Sequence, residues 1–495
     1  MLLSKTLADI EYTLHGKSDA DGIHIEDIVY DSRRAAAGTM FVCLVGAVSD
    51  GHSYAPGAYE NGCRVFMVEH KLGLPSDAVQ IEVADTRLGL ALASAAFFEY
   101  PARSLMVIGI TGTKGKTTTA SIVADILNAG GINTAYIGTT GIVMCGERTP
   151  TKNTTPESYE LHKAFRRMVE RGVACVVMEV SSQAIYMRRV AGIHFHIGVF
   201  TNLSPDHIGG AEHPTFEHYA ACKAELFREC RYGIFNADDE HCKDMIEGSR
   251  SINTTFGILE GTSHDVTGAC IAPIKRKNMF GTSFVCKTAE GEAEYELRMP
   301  GDFNVYNALA AISVAQRMDI SEDTVRKTLA KATVRGRFEI VDALPDAVTI
   351  IDYAHNALSM RAALETVRRY DPKRLVVVFG SVGGRTQLRR GELGEVASEL
   401  ADLCIVTSDN PDFEAPEQII ADIEKVITAA GRPCISIVDR REAVRYAIDN
   451  ACPGDCIFFA GKGHEDYQLI RGEYVHYDER EEIMTAAMVR LAKVK

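Results

Sequence analysis

The sequence predicts an α/β protein of three domains: a small N-terminal α/β domain, a central domain on a mostly parallel sheet, and a C-terminal doubly wound α/β domain. Three observations predict it. The chain has 495 residues, too many for one core and enough for about three domains. Strand-like apolar runs alternate with helical stretches in two separate series, the pattern of parallel sheets covered by helices. Each run ends in a polar or glycine-rich cluster, as expected where a crevice lies off the carboxyl ends of strands.

The elements follow in order. Residues 1–103 mix short apolar runs (Gly38 to Val45, Arg64 to Val68) with turn signals and close on the Ala-rich helical stretch Leu88 to Glu99, which Pro101 stops. Residues 104–333 carry the runs LMVIGI, VACVVMEV, HIGVFTNL and YGIFNA. Short alternating segments over 255–298 predict an antiparallel appendage, and a helix is expected from Asn304 to Arg317. Residues 334–495 resume the alternation with VTIIDYAH, RLVVVFGS, LCIVTSDN and DCIFFAGKG.

Composition excludes several functions. A net charge of −14 argues against broad binding to nucleic acid or anionic lipid. The opening MLLSKTLADIEYTL lacks the apolar region and cleavage site of a signal peptide, and no apolar stretch is long enough to span a bilayer. The 13 cysteines contain no CxxC pair, and Cys43, Cys175 and Cys404 sit in apolar runs, so reduced core residues of a cytoplasmic protein are expected. Cys452 and Cys456 suggest zinc, but no second pair stands nearby.

The clearest chemistry is in ITGTKGKTTTAS, residues 110–121. A strand ends, glycines follow, and Lys116 and Thr117 open a helix. Such a loop turns backbone N–H groups toward phosphate oxygens at a helix N-terminus, here from Gly112, Thr113, Gly115 and Thr118. Lys116 supplies charge to the terminal phosphates, and the Thr117 hydroxyl is a Mg²⁺ ligand. Ile110 stands where the strict motif has its first glycine, so the bland reading is an ordinary strand-to-helix turn. The strand before and the helix after favour an ATP site on a P-loop ATPase-like sheet. Glu179, ending an apolar strand, is placed to hold magnesium, against the alternative of an ion-paired structural acid. Of the histidines in the segment DHIGGAEHPTFEH, His207 directly follows a strand end, whereas His213 and His218 read as structural or solvent-facing.

Together TGTKGKTTT, MEVSS, TNLSPDH with Lys223 downstream, GDFNVYNALAA, GRFE, DYAHN and AGKGHEDYQ resemble the Mur ligase family, in that family's order and over nearly the whole chain. The resemblance implies ATP-dependent amide formation in peptidoglycan precursor synthesis. ATP phosphorylates a substrate carboxylate to an acyl-phosphate, and an incoming amine displaces phosphate. It assigns Lys116 to the transferring phosphate, Thr117, Glu179 and His207 to magnesium, and Lys223 to the family's carbamylated lysine, with a plain phosphate-neutralising lysine as the alternative. Asn304 and Asn307 would face the adenine, and Arg337 and Asp352 the phosphate and ribose sides. Asp31-Ser32-Arg33, NTTPES (153–158) and DNP point to the branch that adds the third stem-peptide residue, a diamino acid, to UDP-N-acetylmuramoyl-L-alanyl-D-glutamate. Ser32 would then bind the uridine-diphosphate end, and Thr154, Thr155, Ser181 and Arg189 the muramoyl-dipeptide. A monomer is expected.

For the amino acid, Glu465 would hold the ammonium, Gly461 and Arg390 the carboxylate, and Asp409 and Asn410 the turn that aligns it. Members selective for meso-diaminopimelate read DNPR, whereas this chain reads DNPD with Asp412. An acid there would repel a distal carboxylate and attract an ammonium, so a lysine-like substrate is expected, with meso-diaminopimelate as the alternative. Gln183, Ala357, and Ala47 with Val48 also depart from the family's usual residues. Folylpolyglutamate- or cyanophycin-type ligases, a P-loop ATPase driving movement, and a non-catalytic paralogue are the competing readings. The separate first domain and NTTPES weigh against the first of these. Whether ATP turnover requires the uridine-nucleotide acceptor tests the second, and intact Lys116, Thr117, Glu179, His207 and Lys223 weigh against the third.

Overall fold

The computed structural model describes residues 1–16, 22–46, 49–206, 208–209, 212–260, 264–276, 279–384 and 387–493. His207, Ala47 and Val48 lie outside them. The described chain forms two compact units, 1–266 with 310–321, and 267–309 with 322–495.

The first unit holds two sheets. The N-terminal one runs Thr13–His15, Val79–Glu82, Val65–Val68, Thr39–Val42, Asp27–Val29, parallel apart from its first strand. Val65–Val68 is buried at every position because helices cover both faces of a parallel sheet, so the run is apolar throughout rather than alternating. Helix Thr86–Phe97, capped by Asp85, closes one face. Tyr159, from helix Ser158–Glu170, joins this core, its hydroxyl bonded to Asp27.

The central sheet orders its parallel strands Ile252–Gly257, Cys230–Asn236, Phe195–Phe200, Met106–Thr111, Cys175–Glu179, Thr134–Gly138. Two antiparallel strands, Gly141–Met144 and Glu147–Thr149, extend it. Met106–Thr111 lies in the middle, with Cys175–Glu179 directly beside it. That places the phosphate loop and Glu179 side by side at the carboxyl edge.

His162, on helix Ser158–Glu170, is 1% exposed beside Phe165, and neither ring nitrogen has a hydrogen-bond partner among the described residues. Burial pushes its pKa down to about 4. The unfolded chain therefore binds a proton that the folded chain refuses between pH 6.5 and 4, and stability falls as pH falls through that window. His162→Leu removes the penalty: its stability advantage over wild type in urea unfolding should grow by about 3 kcal/mol from pH 7 to pH 4.

The second unit carries the antiparallel hairpin Met279–Thr288 with Gly291–Leu297, and a six-stranded sheet. Its order is Glu339–Val341, Val348–Asp352, Asp455–Ala460, Arg374–Phe379, Leu403–Thr407, Cys434–Ile437, parallel except for the first strand. The two faces carry separate cores, one centred on Ile350, Val377 and Phe458, the other on Val378, Ile405 and Phe459. A two-stranded hairpin, Tyr467–Ile470 with Glu473–His476, follows the central strand. No helix among the described residues is long and apolar enough to cross a membrane.

Candidate active site

The strand Met106–Thr111 runs into a loop whose glycines are required by space. Gly112 has φ +145°, and a Cβ there would meet the Thr201 hydroxyl at 2.0 Å. The loop is clamped to the next strand end: Thr113 N–H donates to the Asn202 carbonyl at 2.8 Å, and Lys114 N–H to its side-chain oxygen at 2.9 Å. Gly115, at φ +84°, turns the chain into helix Lys116–Ala129, whose first N–H groups head the loop.

Two lysines converge on one oxygen. Lys116 Nζ donates to the Gly112 carbonyl at 2.9 Å and to that of Thr113 at 3.1 Å, while Lys223 Nζ donates to the same Gly112 carbonyl at 2.9 Å. Lys223 is 1% exposed, above the ring of Tyr219 at 4.4 Å. Burial first, and the charge of Lys116 second, hold its pKa well below that of a free lysine.

Glu179 is the other focus. Its carboxylate, 1% exposed, accepts from Thr117 Oγ1 at 3.0 Å, the Tyr136 hydroxyl at 2.6 Å and Thr139 N–H at 2.8 Å. A buried carboxylate touching the phosphate-loop hydroxyl is a hard, all-oxygen donor pair, and it fits Mg²⁺.

The residues expected at the dipeptide also meet. Thr155 Oγ1 donates to the Glu179 carbonyl at 2.8 Å and accepts from Ser181 N–H at 3.1 Å, and Thr154 bonds Thr139 at 3.1 Å. Arg189 is tied to Glu157 at 2.8 Å and to the Thr155 carbonyl at 3.2 Å. Ser32 opens a short 3₁₀ turn capped by Asp31. A hydrogen bond from Arg33 holds the Asp31 carboxyl down at about 2.

In the second unit, Asn304 and Asn307 lie one turn apart on helix Asp302–Arg317, both buried and bonded to each other at 3.1 Å. Asp352 accepts from the N–H groups of Phe338 at 2.7 Å and Ala354 at 2.8 Å. Burial raises its pKa, and the charge of Arg337 opposes that shift. Arg337 itself lies 4.8 Å from the Tyr353 ring.

Around the DNP turn, the structure adds a residue that sequence reasoning missed. Lys462 is fully buried, 2.7 Å from Glu465, 2.8 Å from the side-chain oxygen of Asn410 and 3.4 Å from Asp409. Asn410 also donates to Glu465 at 3.0 Å, and the Tyr353 hydroxyl donates to the other Glu465 oxygen at 3.2 Å. Gly461, with φ +103°, brings the backbone so close that a Cβ would lie 2.8 Å from Asp409. Lys462 stands in the quoted GKGHEDYQ segment, so the signal was the lysine itself; the sequence did not say that it is buried among acids.

Two expected roles are not reflected in the side-chain contacts. Arg390 is 1% exposed, and its guanidinium donates through Nη2 to Glu414 at 2.7 Å and through Nη1 to Asp422 at 2.8 Å. It braces Glu414, which in turn accepts from Gly384 N–H at 3.0 Å. Asp412, at φ +51°, gives its carboxylate to Gly472 N–H at 2.8 Å, while its backbone pairs with Leu469 and Arg471. The acid thus caps the turn of the hairpin 467–476.

Comparisons with known proteins fit this geometry. The family model described as Mur ligase middle domain matches residues 110–315, and that described as Mur ligase, glutamate ligase domain matches 336–463. The chain is 37% identical over 490 residues to the UDP-N-acetylmuramoyl-L-alanyl-D-glutamate--2,6-diaminopimelate ligase of Clostridium perfringens, covering 97% of this chain and 98% of the relative. It is 38% identical over 479 residues to the protein of the same name from Geobacillus kaustophilus, covering 95% of each. A solved structure of a ligase with that name aligns with TM-score 0.71 and 27% identity, over 99% of both chains. A folylpolyglutamate synthase from Mycobacterium tuberculosis aligns over 82% of this chain and 95% of its own, with TM-score 0.59 and 18% identity, a likeness of fold alone.

Proposed function

This chain belongs to the Mur ligase family of ATP-dependent amide-forming ligases, and on that premise we propose that it adds meso-diaminopimelate to UDP-N-acetylmuramoyl-L-alanyl-D-glutamate. The full-length relatives named as 2,6-diaminopimelate ligases carry the choice of amino acid, against the lysine-like expectation from Asp412. The position of the Asp412 carboxylate supports it: an acid bound to Gly472 N–H is a turn cap, and its charge is partly answered there.

The reaction needs positioning and charge neutralisation. Lys116 leaves its loop carbonyls to meet the terminal phosphate of ATP, whose other phosphates lie on the loop N–H groups of Gly112, Thr113, Gly115 and Thr118. Thr117 and Glu179, with His207, would hold Mg²⁺, which neutralises phosphate charge when bound. Asn304, Asn307, Arg337 and Asp352 are assigned to the nucleotide, and Ser32, Thr154, Thr155, Ser181 and Arg189 to the uridine-nucleotide substrate. The acceptor carboxylate attacks the γ-phosphorus, ADP leaves, and the amine displaces phosphate from the acyl-phosphate. Asp409, whose Oδ1 faces Lys462 Nζ at 3.4 Å, and Glu465 offer carboxylates to the incoming ammonium, with Asn410 and Gly461 shaping the turn. Arg390 supports that turn through Glu414.

The decisive assay follows ADP release from purified protein with the uridine-nucleotide dipeptide plus meso-diaminopimelate, lysine or ornithine. Turnover should require both acceptor and amino acid and should prefer diaminopimelate by at least about tenfold in kcat/KM. Asp412→Asn, which keeps an acceptor for Gly472 N–H, should leave that preference in place. A preference for lysine overturns the assignment, and a switch of preference in Asp412→Asn restores Asp412 as the selector.

A further inference from the structure

Beside the phosphate site lies a cluster that the reaction above does not use. His213 Nδ1 and His218 Nδ1 face each other at 2.9 Å, and Cys222 Sγ lies 3.9 Å from His218 Nδ1. Donor atoms of all three residues fall within 4.8 Å of one another. His218 and Cys222 are four residues apart on helix Phe216–Ala224, so they share one face. His213 reaches them from the preceding loop, where its carbonyl accepts from Gly209 N–H at 2.8 Å.

The surroundings prepare the cluster for a metal. His213 is 1% exposed, and its Nε2 lies 2.9 Å from the Ser182 hydroxyl. A proton on that nitrogen, donated to Ser182, leaves the Nδ1 lone pair directed at His218, the arrangement in which an outer partner fixes a ligating imidazole. Tyr186 and Tyr219 wall the site, with ring centroids 4.9 Å from His218 and 5.3 Å from His213 respectively. A tetrahedral ion with nitrogen at about 2.0 Å and sulfur at about 2.3 Å would set its donors roughly 3.3–3.6 Å apart. The observed 2.9 and 3.9 Å need only small side-chain rotations to reach that spacing.

We propose that His213, His218 and Cys222 form a binding site for a late divalent transition metal, Zn²⁺ in particular, with the fourth position left to water. The donor set selects against Mg²⁺, which takes oxygen ligands, and for an ion that accepts thiolate and imidazole. On binding, Cys222 loses its thiol proton to solvent, and the two imidazoles coordinate as neutral ligands. The ion ties the helix that carries Lys223 to the loop of His213 and, through Ser182, to helix Ser182–Tyr186. The site is independent of which amino acid the enzyme adds.

The test uses the full chain, stripped of metal and kept reduced by a non-thiol reductant, then titrated with Co²⁺ in excess Mg²⁺. The expected result is one equivalent of tightly held Co²⁺, with a thiolate-to-cobalt charge-transfer band and the strong visible absorption of tetrahedral cobalt, displaced by one equivalent of Zn²⁺. Cys222→Ser should abolish the charge-transfer band, and His218→Gln should weaken binding more than about tenfold. Thermal unfolding checks each variant's fold; if Cys222→Ser does not fold, His218→Gln alone carries the comparison. No band in the wild type overturns the proposal, as does a band that persists in the folded variants, which would place the ion on other cysteines.

Discussion

Lys116→Ala lowers ligation by on the order of 10³-fold or more, while the thermal unfolding midpoint moves little beside that loss, because its ammonium bonds the loop carbonyls of Gly112 and Thr113 in the free protein and is part-buried rather than in the core. Such a fall corresponds to about 4 kcal/mol of transition-state stabilisation. The effect should appear in kcat, since the charge matters most as the γ-phosphoryl group transfers. ADP release measured at saturating substrates checks this. Activity within tenfold of wild type would sink the assignment of the phosphate loop.

Lys223 carries the second large effect. Its amine and that of Lys116 share one carbonyl oxygen in a buried setting, which favours the neutral form of Lys223. A neutral amine is the species that adds CO₂; the product is a carbamate, and one proton is released. The modification would turn a buried potential cation at the phosphate loop into a carboxylate, a group able to hold metal. Lys223→Ala and Lys223→Arg should each lower kcat by about 10²–10³-fold, the arginine variant because a guanidinium stays cationic and forms no carbamate. Wild-type protein in carbon-13-labelled bicarbonate should show one carbamate signal, absent from Lys223→Arg. Activity should fall as pH drops and the amine protonates. An unlabelled wild type with full activity would leave Lys223 as a plain phosphate-neutralising cation.

Much of this site is written in local order along the chain. A phosphate loop is one strand, one turn and one helix start, so ITGTKGKTTT announces its own geometry, down to the glycines at Gly112 and Gly115. Glu179 was legible because an apolar strand that ends in an acid places it at the carboxyl edge of a sheet. The alternation of runs predicted the parallel sheets for the same reason: burial on both faces leaves a repeating mark in composition.

The partners of charged side chains were not legible. Asp412 was expected at the amino-acid pocket, and nothing local in the sequence showed that the fold would bring Gly472, 60 residues on, to its carboxylate. Arg390 looked available for substrate, yet Glu414 and Asp422 neutralise it in a buried pocket. Lys462 gave no sign that it would be sealed among Asp409, Asn410 and Glu465. His213 and His218 carried no standard metal spacing, and only packing brought His213 and Ser182 to the helix face that His218 and Cys222 share. The sequence by itself determined the sheets, the phosphate loop and the class of chemistry, because each depends on contacts within a few residues or on periodic burial. Tertiary structure alone decided which charges pair with one another. Those pairings form across tens of residues, where desolvation makes an unpaired charge too costly to leave buried.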